Sequence, residues 1–444
     1  MMGNKAGKLK ALVERAIDEN KEIYLAIGRK IYQNPETGYK EFETTKTVCD
    51  FLEALSFRTE KDIAYTGCRA YTNEGKKGPK IVIMGELDSV ICPEHADADK
   101  ATGAMHACGH NIQVTVMLGV ADALRKSGIL EELDGKIDFM AVPAEEYIEL
   151  EYREQLRKEG KIKYFAGKAE LVSRGAFDDV AISMMVHNFP ITESGFKLAK
   201  RNTGNGFIGK TTQFIGKQAH AGAAPWEGVN ALNMATLAIN SMHYQRETFK
   251  ESDTVRVHQI ITKGGDIVNS VPSDVKLETT VRAGNLEALD DANRKVNQCI
   301  RGATISIGGK SVVQDMPGQL PLKADENLAE LFGKNALKFY ESYQIMNLMQ
   351  STASFDMGDL SHLMPVLHGV TSGITGGLHS KDYKVVDETD AFIIPIKIIA
   401  FTLIDLLCDE AKVANSIIDN FKPALSKEEY LAYLLEIEKT YVYN

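Results

Sequence analysis

The chain has 444 residues, 44% of them hydrophobic and 25% charged, the balance of a soluble globular protein with room for two domains. With 61 acidic against 51 basic residues it carries a net charge of −10, which speaks against nucleic acid or an anionic membrane as its main partner. No apolar run approaches the ~18 residues needed to cross a bilayer.

The opening, MMGNKAGKLKALVERAIDEN, is charged throughout and lacks the apolar stretch of a secretory signal, so a cytoplasmic location is expected. The six cysteines (Cys49, Cys68, Cys92, Cys108, Cys299, Cys408) are scattered without paired spacing, which fits a reducing compartment better than a disulfide framework. LKALVERAIDENKEIYLAIGRKIYQ places apolar residues three and four apart, and EFETTKTVCDFLEAL repeats the pattern after a break at Pro35–Gly38. Both predict helices. KIVIMGELD is a short continuous apolar run ending in an acid, as expected of a buried strand that empties into a site. HNIQVTVMLGVADALRKSG reads as an amphipathic helix, KIDFMAVPAEE as another buried strand with acids at its end, and AISMMVHNFP as a third. Strands alternating with helices predict an α/β fold: a mainly parallel mixed sheet flanked by helices, with its site along the carboxyl edge.

Near Gly195 the texture changes. A strand at TTQFIGK, a helix through VNALNMATLAINSMHYQRE, strands TVRVHQIITKG and VKLETTVRA, a helix from LEALDDANRKVNQCI and a strand around ATISIGG follow in order. This β-α-β-β-α-β order is ferredoxin-like, a small sheet with both helices on one face. Residues 197–316 are therefore expected to form a domain inserted between two parts, 1–196 and 317–444, of the first. After PGQLPL come long helices (NLAELFGKNALKFYESY), a short strand at MPVLHGV, and SKEEYLAYLLEIEKTY, which opens with a capping box from Ser426 and Glu429.

In MHACGHN, Cys108 and His110 lie two apart just before a helix, so a tight turn can aim both at one centre. A thiolate with an imidazole suits zinc, manganese or cobalt; the plainer alternative is a buried cysteine beside a satisfied core histidine. Glu145 and Glu146, in PAEE at a strand exit, can divide the work of binding a metal and taking a proton from its water, or simply be solvated. His187 ends a strand in VHNFP and His379 lies in GITGGLHSKDY, each with the alternative of a hydrogen-bonded structural histidine. Four ligand-type groups at four separate strand or loop ends together point to a metal site.

Taken in order, GELDSV, MHACGHN, VPAEE, VHNFP, GKQAHAGAAPWEGVNAL, GGDIVNSVP and GLHS resemble the M20 peptidases. The likeness is strongest to the branch of aminoacylases, auxin-conjugate hydrolases and aminobenzoyl-glutamate hydrolases. IYQNPETGYKEFETT is similar to that branch's N-terminal helix, and FDMGDLSHLMP to a segment of the aminobenzoyl-glutamate hydrolases, with Asp359 and His362 there read as structural. The resemblance implies a metal-dependent amidohydrolase with two divalent transition-metal ions (Zn, Mn or Co). Cys108 would bridge the ions, with His110, Glu146, His187 and His379 completing the two coordination shells. Glu145 would be the general base that takes the water's proton and later protonates the leaving amine. Asp88 would orient a ligand histidine. His220, from the inserted domain, would hydrogen-bond the oxyanion, often across a dimer in this family. Asn269 and Arg282 would hold the substrate's carbonyl or carboxylate, although a structural ion pair is the alternative for Arg282.

The resemblance further implies a homodimer, with the inserted domain serving as lid and dimerisation domain. The expected substrate is a small N-acyl amino acid, aminoacyl conjugate or short peptide with a free carboxylate. A dipeptidase or aminopeptidase on the same scaffold, or a catalytically silent binding partner, are the alternative functions. Cys108 as a nucleophile with His110 or His106 is the rival mechanism, ranked lower because a thiolate tied to metal is a poor nucleophile. Two departures stand out. Asn111 and Gln113 replace an aspartate and a histidine usual in the branch, which is expected to alter metal affinity. Residues 147–177 form a longer, charged stretch, read as surface helix or as a lid or subunit contact.

Overall fold

The computed structural model describes residues 2–190 and 195–444. Its contacts divide the chain into two units: Met1–Thr203 with Lys323–Gln350 and Asp359–Ala424, and Gly204–Leu322 with Ser351–Gly358 and Leu425–Asn444.

In the first unit the helices Met2–Tyr32 and Phe42–Ala54 form where the three-and-four spacing predicts them. The main sheet runs in the order Arg58–Ile63, Gly67–Thr72, Lys136–Val142, Lys80–Glu86, Ile182–Asn188, Val366–Thr371, Leu198–Gly204. Its four middle strands, Lys136–Val142 to Val366–Thr371, are mutually parallel; Gly67–Thr72 and Leu198–Gly204 flank them antiparallel, and Ile345–Met349 pairs parallel with Leu198–Gly204. Ile182–Asn188 and Val366–Thr371 are buried along their whole length, as strands covered on both faces are. The helix His110–Lys126 is buried from His110 to Leu124. It lies so close to the sheet that a side chain at Gly85 would meet Val114 Cα at 2.7 Å. Because the four middle strands share a direction, their carboxyl ends share an edge, and the loops that follow converge there. No single helix is long and apolar enough to cross a membrane, and the apolar helix Ile394–Leu407 is buried in the core.

The charged stretch 147–177 folds into the helices Leu150–Lys158 and Gly167–Ser173. It is anchored inward. Arg153 and Lys168 are wholly buried, and Arg153 donates to the carbonyls of Glu146 and Phe165, the latter at 2.6 Å.

The second unit carries an antiparallel sheet in the order Arg256–Lys263, Asp274–Ala283, Gly206–Ile215, Lys310–Pro317, Thr440–Tyr443, with helices Ala231–Tyr244 and Leu286–Ile307 packed on it. Two details differ from the sequence reading. ATISI is the end of the helix Leu286–Ile307, and the strand starts later, at Lys310. Val296, Cys299, Ile300 and Ala303 continue the helical spacing into the core, and this packing outweighs the β-branched character of the segment. The chain end, Leu425–Asn444, groups with this unit. Its helix Lys427–Ile437 has the capping box of Ser426 and Glu429, and Thr440–Tyr443 pairs with the strand Lys310–Pro317, Ser311 opposite Tyr443.

This unit buries an ion pair. Lys210 and Asp315 are both inaccessible and hydrogen-bonded to each other; Asn297 accepts from Lys210 at 2.8 Å, and Asn293 donates to Asp315 at 2.8 Å. Removing one partner strands the other's charge in a dry interior. Lys210→Met should destabilise the unit by about 3–5 kcal/mol, read as a lower urea midpoint in the loss of second-unit structure.

Candidate metal centre

The four middle strands of the first unit lead into predicted site residues. Lys80–Glu86 leads into Asp88. Lys136–Val142 leads through Ala144, at φ 53°, into Glu145 and Glu146. His187 lies near the end of Ile182–Asn188, and His379 follows Val366–Thr371 at φ 55°. Gly109, at φ 81°, caps the helix that begins at His110 and turns the chain sharply between Cys108 and His110. The His379 amide donates to Ala107 O at 2.9 Å, tying the last loop to the cysteine loop. Left-handed backbone at a non-glycine residue is sparsely populated, and its occurrence at Ala144 and His379 marks a shape held by the surrounding fold.

These turns bring seven of the predicted residues together. Cys108, His110 and His187 place Sγ and two ring nitrogens within 4.8 Å of one another, and so do Cys108, Glu146 and His379. The thiol belongs to both triads. Cys108 Sγ is 3.6 Å from His187 Nε2, and His379 Nε2 is 3.0 Å from Glu146 Oε1. His110 Nδ1 faces Asp88 O at 2.8 Å and Asp88 Oδ1 at 3.1 Å, while Asp88 Oδ2 accepts from the Glu146 amide at 2.9 Å. Asp88 therefore braces two of the group at once. His187 Nδ1 faces the carbonyl of Asn188 at 2.9 Å. In both rings a proton on Nδ1 satisfies that acceptor and leaves the Nε2 lone pair pointing inward. Glu145 is 6% exposed, with Oε2 3.9 Å from His110 Nε2.

Burial pushes the Cys108 thiol well above its ordinary pKa, and Glu146 adds to the effect. Burial also lowers His187 to about 4, so its ring is neutral with a lone pair to give. For His110 burial acts downward, but Cys108 and Glu86 raise it well above the usual range. Burial opposes ionisation of Glu146, yet the hydrogen bond and charge of His379 hold its carboxyl low. The observed donor separations of 3.0 and 3.6 Å fit two donors on one cation, which for bonds of about 2.0–2.3 Å stand roughly 3.0–3.6 Å apart. A divalent cation is also the charge that would keep the buried thiol ionised. The residues fit a pair of divalent metal ions, Cys108 being common to both.

Asn111 and Gln113 are occupied elsewhere. Asn111 Nδ2 donates to Gly28 O at 3.3 Å, and Gln113 Oε1 accepts from the Glu86 amide at 3.2 Å. Glu86 and Lys168, overlooked in the sequence reading, also belong here. Glu86 Oε2 is 3.1 Å from His110 Nε2 and Oε1 is 2.6 Å from Lys168 Nζ. GELD contained the signal for Glu86, since residues two apart on a strand face the same way. Nothing in the sequence pointed to Lys168, which arrives from the charged stretch.

The other three predicted residues lie in the second unit. His220 is exposed, and its Nδ1 accepts from the amides of Gly222 and Ala223 at 3.1 and 3.0 Å, which puts the ring proton on Nε2 and leaves it free to donate outward. Asn269 is exposed beside it, its carbonyl accepting from the Ala221 amide at 2.9 Å. Arg282 is half-buried over the Phe207 ring at 5.0 Å and hydrogen-bonded to Ser354 Oγ. Among the described residues no carboxylate pairs with it, so the structural ion pair is not formed.

Comparison with known proteins follows the same division. A peptidase dimerisation domain (M20_dimer) matches residues 202–306. The chain is 29% identical over 456 aligned residues to a Xaa-Arg dipeptidase of Mus musculus, covering 96% of each. It is 26% identical to an N-acetyl-L-cysteine deacetylase of Bacillus subtilis, over 75% of this chain and 76% of that protein. Its fold is that of a dinuclear metal binding peptidase from the M20 family of Bacillus subtilis, at a TM-score of 0.67 and 21% identity, covering 90% of this chain and 99% of the other.

Proposed function

The chain belongs to the M20 family of metal-dependent peptidases and amidohydrolases, and on that premise we propose that it hydrolyses the amide bond of an N-acyl amino acid or dipeptide whose leaving residue has a free carboxylate. The observation that carries this reading is the Cys108 thiol shared by two ligand triads, the first wholly buried and the second reaching the surface at His379, with Glu145 beside them. Cys108, His110 and His187 would hold one ion, and Cys108, Glu146 and His379 the other; Zn, Mn and Co all suit this mixture of sulfur, nitrogen and oxygen. When bound, the ions polarise the scissile carbonyl and make water acidic enough to attack near neutral pH. Glu145 takes the proton of the attacking water and returns it to the leaving amine, so no covalent intermediate is needed. Asp88 fixes the His110 ring and the Glu146 backbone in one set of contacts. His220 offers its Nε2–H to the oxyanion within a homodimer built through the second unit, with Asn269 beside it on the substrate's carbonyl. A reducing, cytoplasmic setting would keep Cys108 a thiol.

The end-to-end match to a Xaa-Arg dipeptidase favours a dipeptide over an aryl conjugate as the first substrate to try. The test is metal content of the purified protein together with amino-acid release from a panel of N-acyl amino acids and dipeptides. Two ions per chain and cleavage lost on chelation support the reading. No release from any member after adding zinc, manganese or cobalt would leave a binding protein or silent partner instead.

Arg282 supplies a further prediction. As a half-buried cation with no acidic partner among the described residues, it is assigned the substrate's carboxylate. Arg282→Met should raise KM about 10–100-fold, the worth of a charge-assisted hydrogen bond of roughly 1.5–3 kcal/mol. The same substrates with a C-terminal carboxamide should show almost no difference between parent and variant; an equal loss on both would remove Arg282 from carboxylate recognition.

A further inference from the structure

The turn that carries Glu145 begins at Ala144, whose left-handed backbone an alanine adopts only under constraint. It is held from several sides. The Ala144 amide donates to Glu41 Oε1 at 2.8 Å, and its carbonyl accepts from the Gly167 amide at 3.1 Å. Its Cα and Cβ lie so close to Gly38 that a side chain there would meet both at 2.9 Å. Beyond it, the Glu146 carbonyl accepts from Arg153 and the Glu146 amide donates to Asp88 Oδ2 at 2.9 Å.

Glu41 is the unusual member of this clamp. It stands at the cap position of the helix Phe42–Ala54, yet its side chain does not cap that helix. Glu36 does so instead, accepting from the amides of Glu43 and Thr44 at 3.1 and 2.8 Å. The Glu41 carboxylate turns inward and is wholly buried, with Oε2 accepting from Thr66 Oγ1 at 2.6 Å. Both oxygens therefore meet uncharged donors, a costly way to bury a carboxyl group. Burial, and then the charge of Asp88, push it up to about 7. In either protonation state one oxygen remains to accept from the Ala144 amide.

We propose that Glu41 is a positioning residue for Glu145: by accepting from the Ala144 amide it fixes the turn that sets where the Glu145 carboxylate stands beside the ligand atoms. The inference rests on the reading of Glu145 as general base and deepens it. A misplacement of about 1 Å at a reacting group can cost on the order of 10²-fold in rate. The hydrogen bond should therefore act on turnover more than on affinity for substrate or metal.

The test is kinetics on the metal-loaded full chain carrying Glu41→Asp or Glu41→Gln, each alone and combined with Glu145→Gln. Aspartate withdraws the acceptor by one methylene. Glutamine keeps an oxygen at the original reach, and the Thr66 hydroxyl can accept from its amide. Glu41→Asp is expected to lower kcat about 10–100-fold, with KM and metal content within a few-fold of the parent. Glu41→Gln, which restores the acceptor, should recover most of that loss. Neither should change the residual rate of Glu145→Gln, because the base they position is absent there. Three results would each overturn the role of Glu41 and leave Glu145 as the base: Glu41→Asp turning over like the parent, Glu41→Gln losing as much as Glu41→Asp, or an equal factor lost in both backgrounds. Unchanged turnover in Glu145→Gln alone would overturn the base reading, and the role of Glu41 with it.

Discussion

Glu145→Gln is expected to lower kcat about 10²–10⁴-fold, the usual worth of a positioned general base, with KM and metal content close to those of the parent. Glutamine keeps the shape of the side chain and can still hydrogen-bond water, but it cannot take a proton. Glu145 stands 3.9 Å from His110 Nε2 and is nearly closed to solvent. That places it next to the ligand atoms without membership of either thiol-sharing triad. Single-turnover kinetics would separate the loss of proton transfer from any change in product release. Unchanged turnover in a metal-replete Glu145→Gln protein would remove the proposed mechanism, even if both ions stayed bound.

The second large effect belongs to Cys108. Both ligand triads close on its sulfur, so Cys108→Ser should weaken both ions together, by more than the 10–100-fold typical of residues that only support a ligand. A serine hydroxyl is shorter and stays protonated where the thiol would ionise, so it replaces neither the reach nor the charge. The expected result is fewer than one ion per chain at micromolar free metal, measured by elemental analysis after dialysis, with turnover lost in proportion. A thiol acting as a covalent nucleophile predicts the opposite pattern, with turnover lost and metal content preserved. Loss of just one ion would show that the sulfur serves a single position.

The strand ends were legible because their chemistry is local. An apolar run buried on both faces has to end where polar residues begin, and Asp88, Glu145, Glu146 and His187 all sit at such endings. The Cys108–Gly109–His110 turn was legible for a similar reason, since a glycine before an apolar helical repeat marks its start. The spacing of HACGH and PAEE could not show that the two segments meet. That depends on parallel pairing of Lys80–Glu86 with Lys136–Val142 and Ile182–Asn188, which is a long-range contact. Lys168 illustrates the limit. It lies in a charged stretch that reads as surface, yet it is buried and paired with Glu86.

By itself, then, the sequence indicated the long helices, the buried strands that lead to the candidate site and the β-α-β-β-α-β order of the second unit, and it offered the side chains whose chemistry suits a metal, because periodicity and side-chain chemistry are properties of neighbours along the chain. It misplaced the ATISI segment, where helical packing prevails over local propensity, and it did not foresee the last strand, four residues too short to carry a pattern. The tertiary structure alone decided that one thiol belongs to two triads, that Asp88 braces both His110 and Glu146, and that Arg282 has no acidic partner among the described residues. Each of those is a distance between residues far apart in sequence, set by how strands pair and helices pack.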